Sequence, residues 1–230
     1  MGWNNDMSAE VLGISGSPIP NSNTDRAVRC VLEATGLTTA FVKLSDLRME
    51  PCRGCLGCKD TNQCVVCDDG QALAEQFRAA KAFVLGAYTP YSSLDARSKM
   101  FMERMYCLRH RTGLNQGKVG AAVITTACPP EVPGMPPASQ TATAQINIWM
   151  MEEAMVNVGS MVILGNPPCI RCGYGDQCEF SGIKMLHGPE ATVASVGVRQ
   201  FEEGDALVNG ARELGAKIRV AVLAANTVRA

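Results

Sequence analysis

The sequence predicts an α/β protein, a three-layer α/β/α sandwich built around a five-stranded parallel sheet. Three observations carry that expectation. Short apolar runs and amphipathic helical patterns alternate five times along 230 residues, with no internal repeat. The runs are apolar throughout rather than alternating with polar residues, as strands covered by helices on both faces require. No break in composition divides the chain, and its length suits one domain over residues 1–230 with a sizeable core.

The elements follow in order. Residues 9–16 (AEVLGISG) form the first run, rich in branched aliphatics and closed by glycine. The polar turn SGSPIPNSNT leads into a helix with Val28, Val31, Leu32 and Thr35 on one face, and Gly36 ends it. Ala40–Leu44 is the second strand. A Cys-rich insertion over 51–68 follows, after which Asp68 or Asp69 can cap a helix whose apolar face holds Leu73, Phe77 and Ala80. Ala82–Ala87 is the third strand, and the turn YTPYSS opens a helix aligning Leu94, Phe101, Met105 and Leu108. Val119–Thr125 is the fourth strand. A loop with Pro129, Pro130, Pro133, Pro136 and Pro137 runs to a helix over 139–158, and Ser160–Leu164 is the fifth strand. A Cys-containing loop over 166–190 precedes a last helix with Leu207, Ala211, Leu214 and Ile218. Right-handed crossovers make this a doubly wound sheet. Five units suit the flavodoxin-like order 2-1-3-4-5, whose ligand crevice lies at the switch point between strands 1 and 3.

Composition narrows the function. A net charge of −1 with no basic run argues against a nucleic-acid surface and a polybasic membrane contact. No apolar stretch is long enough for a membrane span. Met1–Glu10 lacks the basic and apolar regions of a secretory signal, and Asp6 stands where a myristoylation motif needs Ser or Thr. The chain therefore reads as cytoplasmic, where eleven cysteines are not explained by disulfides. Their odd number also excludes complete pairing within the chain.

The turn Ser15-Gly16-Ser17-Pro18-Ile19-Pro20-Asn21-Ser22-Asn23-Thr24 gathers hydroxyls, amides and backbone N–H groups at a helix start. That is the chemistry of an anion site made from neutral donors and a helix dipole. It has neither the GxGxxG dinucleotide spacing nor the GxxxxGK[ST] of a P-loop.

Together, "GISGSPIPNSNT", "PCRGCLGCKDTNQCVVCDDG" and "GAYTPYSSLDARSKMFMER" resemble the NAD(P)H-dependent FMN reductase superfamily of flavodoxin-like proteins, and within it the iron–sulfur flavoproteins. The resemblance covers residues 9–165 in order and spacing. It implies that Ser15, Ser17, Pro18, Ser22, Asn23 and Thr24 form the turn that holds the FMN phosphate. It implies that Pro90, Tyr91, Ser92 and Ser93 lie along the flavin ring. Thr125, Thr126 and Ala127 end the fourth strand, where the family's third flavin loop begins, although a proline-rich stretch here replaces the glycines common in relatives.

Five cysteines fall within sixteen residues: Cys52, Cys55, Cys58, Cys64 and Cys67. Soft thiolates select iron–sulfur clusters or zinc. The C-x2-C-x2-C run is similar to bacterial ferredoxin ligation, with Gly54 and Gly57 relaxing the chain between ligands. By resemblance, Cys52, Cys55, Cys58 and Cys64 hold a [4Fe-4S] cluster. Two alternatives remain open on the residues alone: a zinc site from Cys52, Cys55, Cys64 and Cys67, or no metal at all. A second group, Cys169, Cys172 and Cys178, shows no complete ligand set unless Cys128 or another chain supplies a fourth. Cys30 and Cys107 read as small core or boundary residues. His110 and His187 have no partner pattern.

The expected function is electron transfer between a ferredoxin or NAD(P)H donor and a small-molecule acceptor, through FMN and the cluster, with no catalytic nucleophile. The alternatives are a cluster-free NAD(P)H:FMN, quinone or nitro oxidoreductase, and a non-enzymatic electron carrier or scaffold with structural zinc. The cluster should emerge beside the flavin, on its phosphate side. Since the resemblance implies that relatives bring cluster and flavin together across subunits, a homodimer or homotetramer is expected.

Overall fold

A computed structural model describes residues 6–129, 134 and 137–228. The Met1-Gly2 start and Pro130, Pro133 and Pro136 lie outside them. Five strands, β1 (Val11–Ser15), β2 (Thr39–Lys43), β3 (Ala82–Tyr88), β4 (Val119–Thr126) and β5 (Val156–Leu164), form one parallel sheet in the order β2-β1-β3-β4-β5. This is the predicted order, with its switch point between β1 and β3.

Both faces of the sheet are covered. Residues alternate along each central strand, because successive side chains of a strand point to opposite faces. Leu12, Ile14, Phe83, Leu85, Ala122 and Ile124 enter one core with α2 (Asp69–Ala79), α3 (Ala96–Arg104) and α4 (Ala138–Glu152). Val11, Val84, Ala121 and Val123 enter the other with α1 (Asn23–Thr35) and α7 (Asp205–Val228). Two short helices, α5 (Gly182–His187) and α6 (Val193–Val196), lie in the segment before α7. On the second face α1 sits close to the sheet. A Cβ on Gly13 or Gly86 would come within 2.5 Å of Leu32 or Val28, so both positions require glycine. The few aromatics are concentrated on the first face, where Phe77, Phe83, Phe101 and Trp149 pack with ring centroids 5.1–6.1 Å apart.

Three expectations are corrected. The fourth long helix ends at Glu152 instead of running to 158, and β5 starts at Val156 instead of Ser160. The chain turns at Ala154, left-handed at φ 54°, with N–H bonds from Ala154 and Met155 to Met151 and Met150 closing the helix. An alanine there gives no glycine signal. In addition, Leu94 precedes α3, while Met105 and Leu108 belong to a 3-10 turn, Met105–Leu108, that prolongs its apolar face. β2 and β5 are the two edge strands, and β5 leaves Val156 and Val162 exposed. Among the described residues, no helix is long and apolar enough to cross a membrane.

One buried cation lies at the amino end of β4. The Lys118 ammonium donates to the carbonyls of Arg78 and Ala80 and sits 5.0 Å from the Phe77 ring centre. Burial pushes its amine down from 10.5 to about 8. Between those values the unfolded chain holds the proton and the folded chain releases it, so this group makes stability rise with pH across that window. Urea midpoints should increase from pH 8 to pH 10 by more in the native sequence than in Lys118→Met. Equal slopes would refute the assignment.

Candidate functional site

The turn after β1 is held from below. Ser15 is fully buried and its hydroxyl donates to Asp25 at 2.6 Å. Asp25 in turn accepts the Ser22 N–H, while Ser22 caps α1 by accepting from the Asp25 N–H, a reciprocal capping box. Lys43, at the end of β2, pairs with Asp25 at 2.6 Å and donates to the Ile19 carbonyl at 2.9 Å. A buried carboxylate directly beneath an anion site would repel the ligand, and Lys43 neutralises it. Sequence reading missed Lys43, because a lone lysine at a strand end carries no pattern.

The turn's remaining groups divide by task. The Asn23 side-chain amide donates to the Arg199 carbonyl and its oxygen accepts the Phe201 N–H, so it anchors the segment before α7. The Thr24 and Thr125 hydroxyls bond each other at 2.9 Å. Ser17 and Ser22 accept backbone N–H groups through their oxygens, which leaves each O–H proton to donate. The N–H groups of Asn23 and Thr24 begin α1 and have no acceptor within the helix. Donors of this kind, at the positive end of a 13-residue helix, fit a phosphate.

The loop expected to lie along the flavin ring leaves β3. Tyr91 and Ser92 are consecutive left-handed residues, φ 49° and 57°, and Tyr91 is fully exposed. Two non-glycine residues in this region represent stored backbone strain, which accumulates at ligand loops. Pro90 accepts the Ser93 N–H, and Gln145 of α4 accepts from the Leu94 N–H at 3.0 Å, pinning the loop's far end. Thr126 bonds Thr89 and receives the Cys128 N–H, joining the loops after β3 and β4, with Ala127 between. Under Gly16, the Asp95 carboxylate caps α3 through Ser98. Burial pushes its carboxyl up, against the opposing hydrogen bonds of Ser98.

The first cysteine loop follows β2, whose last residue, Lys43, pairs in register with Ser15 at the end of β1. Cys52, Cys55, Cys58 and Cys64 line one concavity with Leu56, Val65, Val66 and Cys107, closed by Arg104, Tyr106 and His110. It rests on α3 and its 3-10 turn, on the Phe83 face of the sheet. Cys67 does not line it. Burial pushes the Cys58 thiol up, and repulsion from Cys64, Cys52 and Cys55 adds to this. Burial likewise pushes Cys107, at the floor, up to about 12. Two buried nitrogens of its lining residues, Arg104 Nε and His110 Nε2, have no hydrogen-bond partner. The unpaired Arg104 Nε–H, among the described residues, stands beside four thiols and fits an anionic thiolate-bound group. Among the described residues no three Cys, His or acidic side chains converge on a single point.

The loop is fixed by a buried pair. Arg104, with no exposed side-chain surface, grips Asp68 at 2.6 and 2.8 Å, the Glu50 carbonyl at 2.7 Å and the Cys64 sulfur at 3.4 Å. Asp68 also accepts the Glu50 N–H and caps α2. Burial pushes the Asp68 carboxyl up, but the Arg104 and backbone donors outweigh it and hold it below its ordinary value.

Residues 9–165 match the family described as NADPH-dependent FMN reductase. The chain belongs to that family. It is 31% identical to an iron–sulfur flavoprotein of Methanosarcina thermophila over 188 residues, 80% of this chain and 86% of that one. It is 33% identical to an iron–sulfur flavoprotein of Methanocaldococcus jannaschii over 153 residues, 65% of this chain and 76% of the other. An archaeal flavodoxin shares the fold, with a TM-score of 0.51 at 14% identity, covering 92% of this chain and 97% of its own. As a member of the FMN reductase family, this is an FMN-dependent redox protein and a flavin oxidoreductase.

The paired charges set three expectations for this member of the family. Lys43→Met leaves Asp25 uncompensated beneath the turn, and FMN affinity should fall roughly 10- to 100-fold, about 1.4–2.8 kcal/mol. Unchanged affinity in a flavin fluorescence titration would contradict the role. Arg104→Met strands Asp68, which should cost about 3–5 kcal/mol in urea unfolding. The Asp68 contribution is present above its ordinary value of 3.8 and is lost as pH falls through the lower folded value. The native chain should therefore lose more stability below pH 4 than Asp68→Asn does.

Proposed function

We propose that the protein is an iron–sulfur flavoprotein that moves electrons between a ferredoxin or NAD(P)H donor and a small acceptor. One observation carries the choice of metal group. The concavity is lined by Cys52, Cys55, Cys58 and Cys64, the C-x2-C-x2-C-x5-C set, and not by Cys67, which the zinc pattern needs. Cys58, idle in the zinc pattern, lies among the other three. The relatives' name, iron–sulfur flavoprotein, supports the same reading.

When bound, FMN exchanges electrons singly or in pairs and a [4Fe-4S] cluster singly. The chain's own residues bind and tune. The first turn of α1, with Ser17 and Ser22, holds the phosphate, and Lys43 keeps Asp25 from opposing it. The strained Tyr91-Ser92 step presents backbone and an aromatic ring to the flavin. At the thiols, the Arg104 guanidinium donates to Cys64 Sγ at 3.4 Å, a hydrogen bond of the kind that would tune a bound cluster. As the resemblance implies for relatives, a homodimer or homotetramer would bring one copy's cysteine loop to its neighbour's flavin.

The deciding experiment is the visible spectrum with iron, sulfide and flavin quantitation on protein purified without air. FMN near one per chain with iron and sulfide is expected. Cys58→Ala should remove the iron of this loop and keep the FMN. Absence of flavin, or zinc in place of iron, would overturn the proposal.

A further inference from the structure

The three cysteines that follow β5 repeat the spacing of the first loop. Cys55-x2-Cys58-x5-Cys64 and Cys169-x2-Cys172-x5-Cys178 have the same two intervals. We infer that Cys169, Cys172 and Cys178 form a second iron–sulfur site, with three protein thiolates and an open fourth position. That position would take a small ligand with an oxygen or sulfur donor.

Both loops turn backbone N–H groups onto sulfur. The Gly182 N–H donates to Cys169 Sγ at 3.2 Å and the Tyr174 N–H to Cys172 Sγ at 3.4 Å. In the first loop the Gly54 N–H makes the same kind of contact with Cys52, at 3.5 Å. Backbone donors aimed at sulfur are one means by which a protein tunes a cluster. As a thiol, Cys172 also donates to the Cys169 carbonyl at 3.4 Å. The chain between the cysteines wraps tightly. Gly173 is left-handed at φ 82°, and a Cβ on Gly175 would stand 2.6 Å from the Cys169 carbonyl oxygen. Only glycine allows the loop to close on itself there.

The fourth position follows from what stands where Cys52 stood. Three residues before Cys169 is Asn166, whose amide oxygen accepts the Arg199 N–H and whose nitrogen donates to the Arg199 carbonyl, each at 2.8 Å. Asn166 is thereby committed to the backbone, and the repeated pattern supplies three thiolates. A cluster binds each thiolate to a different iron, so its ligands need not converge on a point as four zinc ligands must. The Arg199 carbonyl also accepts from Asn23, so one residue ties this loop to the start of the phosphate-binding helix. The two cysteine loops follow the two edge strands, β2 and β5, with the flavin crevice between.

This inference takes its spacing from the first loop but does not require that loop to be loaded. The test uses the full chain purified without air. Cys172 is exposed, so Cys172→Ala should fold and keep its FMN. Cys58→Ala and Cys172→Ala should each retain about half the native iron and sulfide, and the double variant almost none. In Cys58→Ala, added 2-mercaptoethanol should shift the electron paramagnetic resonance spectrum of the remaining reduced cluster through the open iron. Native iron content in Cys172→Ala, or stoichiometric zinc lost with it, would overturn the second site. An unmoved spectrum would overturn the open position. Iron lost from Cys172→Ala but not from Cys58→Ala would instead refute the first site and leave the second standing.

Discussion

The cysteine loop depends on one buried contact, the grip of Arg104 on Asp68. Residues 47–67 contain no helix or strand; Leu47, Met49 and Val66 touch the core and Asn62 donates to the Cys107 and His110 carbonyls. What closes them into a loop is a guanidinium with no solvent exposure, reached from the end of α3, that bonds Asp68, the Glu50 carbonyl and Cys64 together. Asp68 is also the N-cap of α2. The same carboxylate therefore starts a helix, closes the loop and keeps a cation beside the thiols. A buried charge pair of this kind adds little net stability over an apolar pair, yet fixes a geometry because neither partner can leave alone.

A parallel arrangement supports the flavin end. Asp25 and Lys43 do for the phosphate turn what Asp68 and Arg104 do for the cysteine loop: a helix-capping acid is neutralised by a base from a neighbouring element. In both cases the acid shapes the backbone and the base determines the local charge. The two acids cap different helices, Asp25 at the start of α1 and Asp68 at the start of α2. The FMN reductase fold thus has separate supports for phosphate and thiols, and each can change without disturbing the other's core.

Much of this could be read from the residues. β1, β3 and β4 were legible because they are buried on both faces, and a continuous apolar run of that length has few other uses. The phosphate turn and both cysteine groups were legible as compositions concentrated at strand ends. The end of α4 was not, because Ala154 takes a left-handed turn that the pattern would assign to glycine, and the apolar residues beyond it continue the helical rhythm. Arg104 and Lys43 were also hidden. Each acts across the fold, 36 residues from Asp68 and 18 from Asp25, and nothing in the local sequence distinguishes a buried arginine from a solvated one. For the same reason the cysteine loop's seat on α3 was missed, although the order of strands was correct.

The separation of 36 residues between Asp68 and Arg104 has a consequence during synthesis. A ribosome adds about 5–20 residues per second, so the thiols of the first loop, Cys52 to Cys64, wait roughly 2–10 s after emerging before Arg104 follows them. In that interval the loop is a set of accessible sulfur donors with no fold to hold them. Cluster assembly machinery that acts on extended chain would find its substrate then, and oxidants would too. The distance along the chain sets a time window, and the arrival of one arginine closes it.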